Sequence, residues 1–156
     1  MDPDGEAVIC SAGGLPSGAQ FNAAQKRFSW KPSYDQAGTY FVEFIATDSG
    51  KLSDSETVQI TVNNANRPPV IANVSCSPAT GRVGQSVQFT ASASDPDGDA
   101  LSCDWDLGDG TRVSGASLQT GLSHSYGRAG NYLITLNVTD GKGESATRTV
   151  QKRIAK

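Results

Sequence analysis

Long apolar runs are missing from this 156-residue chain. No stretch approaches the roughly 20 consecutive apolar residues that a membrane-spanning helix needs. Excess basic charge is missing as well: 13 Lys plus Arg stand against 16 Asp plus Glu, for a net charge of -3. Such a balance gives no footing to nucleic-acid binding, which asks for a basic face. Histidine occurs once, as His124, and cysteine three times. Zinc would need more His or Cys at ligand spacing. A Ser–His–Asp hydrolase would need a nucleophile elbow or an oxyanion loop, and neither occurs. The helix formers Leu, Lys, Glu and Met are sparse, and no long segment has helical periodicity. No signal peptide precedes the first motif.

Gly, Ser, Thr, Val, Asp and Asn are abundant instead, the usage of strands joined by tight turns. The chain also repeats itself. Residues 2–10 read DPDGEAVIC and residues 95–103 read DPDGDALSC; residues 37–48 read AGTYFVEFIATD and residues 129–140 read AGNYLITLNVTD. The offsets are 93 and 92 positions, so the repeating unit has about 90 residues, the size of a β-sandwich module.

Alternation within the repeats predicts half-buried antiparallel strands. Tyr40, Val42, Phe44 and Ala46 share one face, as do Val58, Ile60 and Val62. In the second repeat the inward sets are Val87, Phe89, Ala91 and Ala93, and Tyr132, Ile134, Leu136 and Val138. Turns are expected at Asp97-Gly98, Asp109-Gly110 and Asp140-Gly141. The boundary falls in Asn63-Asn64-Ala65-Asn66-Arg67-Pro68-Pro69, a short linker stiffened by two prolines.

The expected architecture is therefore all-β: two tandem immunoglobulin-like sandwiches, residues 1–65 and 66–156. In the second, 26 residues (Pro69 to Ser94) precede the DPDG motif, whereas only Met1 precedes it in the first. The first module is expected to lack its two leading strands, with Met1 falling inside a longer protein. Exposed strand edges should then make it the weaker half.

The segments SDPDGD (94–99), DWDLGDG (104–110) and HSYGRAGNYLITLNVTD (124–140) resemble the PKD (polycystic kidney disease) domain family, with Leu107 in place of the usual Phe. Residues 12–48, with GGLPSGAQFN and FSWKPSYDQAGTY, resemble the immunoglobulin-like, cadherin-like repeats of bacterial and archaeal surface proteins. Both resemblances imply an extracellular or cell-surface location. They also imply a non-catalytic role as spacer, adhesion or binding module, beside neighbouring domains of a larger protein and a protein or polysaccharide surface ligand. The competing reading is a carbohydrate-binding accessory module of a secreted hydrolase.

Trp30 and Trp105 share a face with Phe28 and Leu101, which predicts core packing rather than a sugar platform. Phe41 and Ile45 fall on the outward face of their strand. His124 is assigned a structural role. The sequons at Asn73 and Asn137 are expected to carry no glycan, given the prokaryotic character of the resemblances. By strand parity Cys76 and Cys103 face one interior, which predicts a Cys76–Cys103 disulfide and an oxidising compartment. The partner of Cys10 would fall upstream of Met1, leaving Cys10 a free thiol.

Asp95, Asp97 and Asp99 crowd one turn, and Asp2 and Asp4 repeat the pattern. The residues alone leave two readings open, turn building and calcium binding by hard oxygen ligands. The PKD resemblance implies a particular ligand set, an Asn at the domain start, both Asp of the D-x-D-G turn and the Asp of V-T-D. Here these are Asn66, Asp95, Asp97 and Asp140, with backbone carbonyls and water completing a structural calcium site.

Overall fold

Among the described residues, strand formers alternating with Ser, Thr and Gln produce thirteen strands and no helix. The computed structural model describes residues 7–116, 118 and 121–156. The chain divides into two compact units, 1–65 and 66–156.

In the first unit β1 (Ile9–Gly13), β4 (Gly38–Thr47) and β5 (Ser53–Val62) form an antiparallel sheet in the order β1-β4-β5. β2 (Gln20–Asn22) and β3 (Arg27–Ser29) form a small hairpin. Phe44 on the inward face of β4 meets the rings of Phe21 and Phe28, with centroids 5.6 and 6.0 Å away. Trp30 packs edge-on against Tyr40 at 4.8 Å, and its indole N–H donates to the Ser17 carbonyl. Val42 is fully buried, but Val58 on β5 remains 38% exposed despite its inward parity. Phe41 is 59% exposed, in keeping with its outward parity.

The second unit is a two-sheet sandwich. One sheet contains β10 (Arg112–Ala116), β9 (Ser102–Asp106), β12 (Gly130–Thr139), β13 (Ser145–Ala155) and β7 (Thr80–Arg82), in that order. The other contains β11 (Leu122–Ser125), β8 (Ser86–Ser94) and β6 (Val70–Ser77). All pairings are antiparallel except β13 with β7. Val87, Phe89, Cys103, Trp105, Ile134, Leu136 and Val138 fill the space between the sheets. Val87, Phe89, Ile134, Leu136 and Val138 come from the predicted inward sets, whose Ala91, Ala93 and Tyr132 are partly buried against this core, because a strand with one wet face must segregate its apolar groups at every second position.

The D-W-D-L-G-D-G stretch turns the corner between β9 and β10. Leu107 is fully buried, and its carbonyl accepts a hydrogen bond from the hydroxyl of the equally buried Tyr126 at 3.0 Å. Burial holds the Tyr126 phenol strongly protonated. Gly108 sits at φ 79°, where a Cβ would lie 2.6 Å from the Leu133 carbonyl oxygen. Only glycine admits both that backbone angle and that approach. Lys152 is also fully buried, and its ammonium donates to the Pro78 carbonyl.

The predicted Cys76–Cys103 bridge is not formed: Cys10, Cys76 and Cys103 are all free thiols. Both predicted partners do belong to or pack on the core, but strand order separates them. Cys76 lies on β6, which packs across onto β13, as the Arg148 bonds to the carbonyls of Ile71 and Ala72 show. Cys103 lies on β9, two strands from β13 in the facing sheet. Two strand spacings are roughly 9–10 Å, beyond the roughly 7 Å Cα separation a disulfide tolerates. Burial also pushes the Cys103 thiol above its ordinary pKa, so it stays protonated and unreactive. Thiol titration of the chain, unfolded without reductant, should therefore count three reactive cysteines; a count of one would restore the bridge.

Candidate metal centre

Three loops of the second unit build one polar cluster. The first follows β8. There the Asp95 side chain folds back over its own turn, its Oδ1 accepting the backbone N–H groups of Asp97 at 2.7 Å and Asp99 at 3.2 Å. Gly98, at φ 79°, lets the backbone close that turn, its N–H donating to the Asp95 carbonyl.

The second loop follows β12. Asp140 is only 3% exposed. Its Oδ1 accepts from the backbone N–H groups of Lys142, Gly143 and Glu144 at 2.7, 3.0 and 3.1 Å. The third element is the chain entering the unit. Asn66 donates from Nδ2 to Asp140 Oδ2 at 2.5 Å. The neighbouring Arg67 grips Asp97, with its backbone N–H on Oδ2 at 2.7 Å and its Nε on Oδ1 at 2.8 Å. Its Nη2 reaches the Pro96 carbonyl at 2.7 Å. Lys142 places Nζ 2.5 Å from Asp99 Oδ1.

Carboxylate oxygens of Asp95, Asp97 and Asp99 lie within 4.8 Å of one another. Asn66 Oδ1, Asp95 Oδ2 and Asp99 Oδ2 are buried and have no hydrogen-bond partner. A buried acceptor without a donor is costly, and such atoms are rare in folded proteins. The charges do not balance either. Four carboxylates (Asp95, Asp97, Asp99, Asp140) face two cations (Arg67, Lys142), leaving a formal charge of -2 at a part-buried place. A divalent cation with oxygen preference would meet both deficits, since calcium takes 6 to 8 oxygens from carboxylates, amide carbonyls and water.

Asn66 thus lies on Asp140, and Asp95 on the backbone of Asp97, as the contacts above show. Asp97 differs from its companions in that Arg67 holds both of its oxygens. Asp99 joins the cluster although the family pattern does not include it. Its signal in the sequence was the third aspartate of SDPDGD, one further turn position along. Asp2 and Asp4 lie outside the described residues.

His124 lies away from this cluster in β11. Its Nε2 is 2.7 Å from Asp109 Oδ2 and its ring stands edge-on to Tyr126 at 4.7 Å. It thereby ties β11 to the turn between β9 and β10, as a structural residue.

Several carboxyls are held below the ordinary carboxylate range. For Asp97 the cause is the Arg67 hydrogen bond, and for Asp106 the Gly108 backbone N–H followed by Arg112. For Asp109 and Asp140 burial pushes upward, but hydrogen bonds outweigh it, from His124 and Thr111 in one case and from the Lys142 N–H and Asn66 in the other. Lys142 is shifted the opposite way, upward, by the hydrogen bond and charge of Asp99. A carboxyl with a depressed folded pKa stabilises the fold above its unfolded pKa, and that contribution is lost as pH falls through the folded value. Chelator-treated protein should accordingly keep its melting temperature from pH 7 to about 5 and lose it steeply below about 4. A melting temperature unchanged down to pH 2 would contradict these bonds.

Residues 66–154 match the family model described as PKD domain, and residues 1–63 match an Ig domain model. The PKD match covers more than half of the chain, and the chain belongs to the PKD domain family. A microbial collagenase of Vibrio alginolyticus is 43% identical over 70 residues, which are 44% of this chain and 8% of that protein. The chain therefore spans less than a tenth of this relative's length. The PKD domain of an M14-like peptidase from a Thermoplasmatales archaeon superposes with a TM-score of 0.53 at 25% identity, covering 59% of this chain and all of that one. A structure described in work on carbohydrate-binding modules of the β-sandwich superfamily gives a TM-score of 0.52 at 28% identity, covering 58% of this chain and 36% of that one.

Proposed function

We propose that this chain is a non-catalytic spacer and interaction module of a larger extracellular protein, and that its second unit is stiffened by a structural calcium ion. The module reading is supported by the likeness of residues 66–154 to domains carried by a collagenase and a peptidase. In such a protein the catalytic work belongs to other domains, and this segment supplies separation and surface contact.

The observation that carries the calcium reading is the set of three buried, unpartnered oxygens beside a formal charge of -2. Asp95 Oδ2, Asp99 Oδ2 and Asn66 Oδ1 would hold the ion, and Asp97 and Asp140 would contribute negative charge. Bound calcium would cross-link the entering chain at Asn66 to the turn after β8, so the start of the unit could not fray. Titration of the full chain with calcium chloride in a calorimeter, beside an Asp95→Ala, Asp97→Ala variant, tests this. Saturable heat is expected for the native chain and none for the variant; identical traces would reduce the aspartates to turn builders.

Carbohydrate binding is the second reading, favoured by the likeness to the carbohydrate-binding-module structure. It ranks below because the second unit's Phe89, Trp105 and Tyr126 are buried in its core. Stacking on a sugar needs exposed aromatic faces.

A further inference from the structure

The two cations of the metal centre are held in different ways. Arg67 is three-quarters buried and fixed through its backbone N–H and its guanidinium to Asp97 and to the Pro96 carbonyl. It forms a wall of the site. The Lys142 side chain is 58% exposed, and its head alone reaches in, to Asp99, whose side chain is 11% exposed. The backbone at Lys142 is secured separately, its N–H donating to Asp140 Oδ1. The side chain can therefore leave without disturbing the turn.

We infer that Lys142 is a resident counter-ion of the metal centre, standing in for the divalent cation in its absence and weakening its binding in competition. The inference rests on reading the cluster as a calcium site. Asp99 carries both halves of the argument: Oδ1 holds the ammonium, while Oδ2 is buried without a partner. A calcium ion on Oδ2 would share one carboxylate with the ammonium, and two positive charges a few ångströms apart repel strongly where solvent screening is reduced. Calcium binding must push Lys142 out or accept that repulsion. Without calcium, Lys142 spares the carboxylates their mutual repulsion, so the unit can fold in either state.

Calcium chloride titrated into the full chain and into Lys142→Met and Lys142→Arg variants, all dialysed against chelator first, tests this. Methionine keeps the stem length and removes the charge. The Met variant should bind calcium about tenfold more tightly, and the Arg variant within about threefold of the native chain. In chelator the Met variant should melt below the native chain, and calcium should close that gap. Native-like or weaker binding by the Met variant, beside a native chain that binds, overturns the inference and leaves the calcium reading standing. Binding by the Met variant alone supports the inference and overturns the calcium reading for the native chain. No binding by any of the three overturns both. Should Lys142→Met be unfolded in chelator, refolding on addition of calcium chloride supports the inference, and failure to refold overturns it.

Discussion

Truncating Phe89 to alanine is expected to destabilise the second unit by about 3–5 kcal/mol, the usual range for a fully buried phenylalanine. Phe89 is fully buried, with its ring centroid 6.1 Å from that of Trp105 on the facing sheet. In register it lies between Cys76 on β6 and Leu122 on β11. Its removal therefore opens a void at the middle strand of a three-stranded sheet, where neither flanking strand can move in without breaking its ladder. Such a loss is a large part of the roughly 5–15 kcal/mol that holds a domain folded. Phe41→Ala is the matched control, since a residue 59% exposed should change stability by no more than about 0.5 kcal/mol. Urea unfolding followed by tryptophan fluorescence reads both. A cost below about 1 kcal/mol at Phe89 would mean that the sheets do not pack as described.

Calcium is expected to have the next largest effect. A ligand present at a hundredfold excess over its dissociation constant stabilises the folded state by about 2.7 kcal/mol. For a unit of this size that corresponds to a rise in melting temperature on the order of ten degrees. The increment should vanish in Asp95→Asn. That variant keeps an Oδ1 acceptor for the N–H groups of Asp97 and Asp99 but replaces the unpartnered Oδ2 with a donor that points at the cation. Differential scanning calorimetry in calcium chloride and in chelator measures it. Equal melting temperatures for the native chain in both would remove calcium from the account.

The strands were legible because alternation reports directly on burial. Tyr132, Ile134, Leu136 and Val138 could be placed on one face by counting, and the last three of them are fully buried. The same rule held less well at Val58, where inward parity coexists with 38% exposure. Parity says which side of a sheet a residue occupies, not how much lies over that side. The cysteines show the same limit. Cys76 and Cys103 were assigned to a common interior, but whether two inward residues can touch depends on which strands face each other. Here β6 packs over β13, and β9 lies two places further along the sheet.

Composition and periodicity by themselves determined that this chain is all-β, that it repeats at about 90 residues, and which side chains turn inward. They also picked out the aspartate-rich turns, because these are local properties, set by the alternation of the backbone and by turn preferences. Only the tertiary structure decided the lateral order of the strands, and with it that Cys76 and Cys103 stay free thiols. It also decided that Asp99 enters the cluster, that Arg67 holds Asp97, and that Lys142 reaches Asp99. Those contacts join residues 30 to 74 positions apart, or join one turn to another. Their geometry is set by how the sheets stack, which no local pattern encodes.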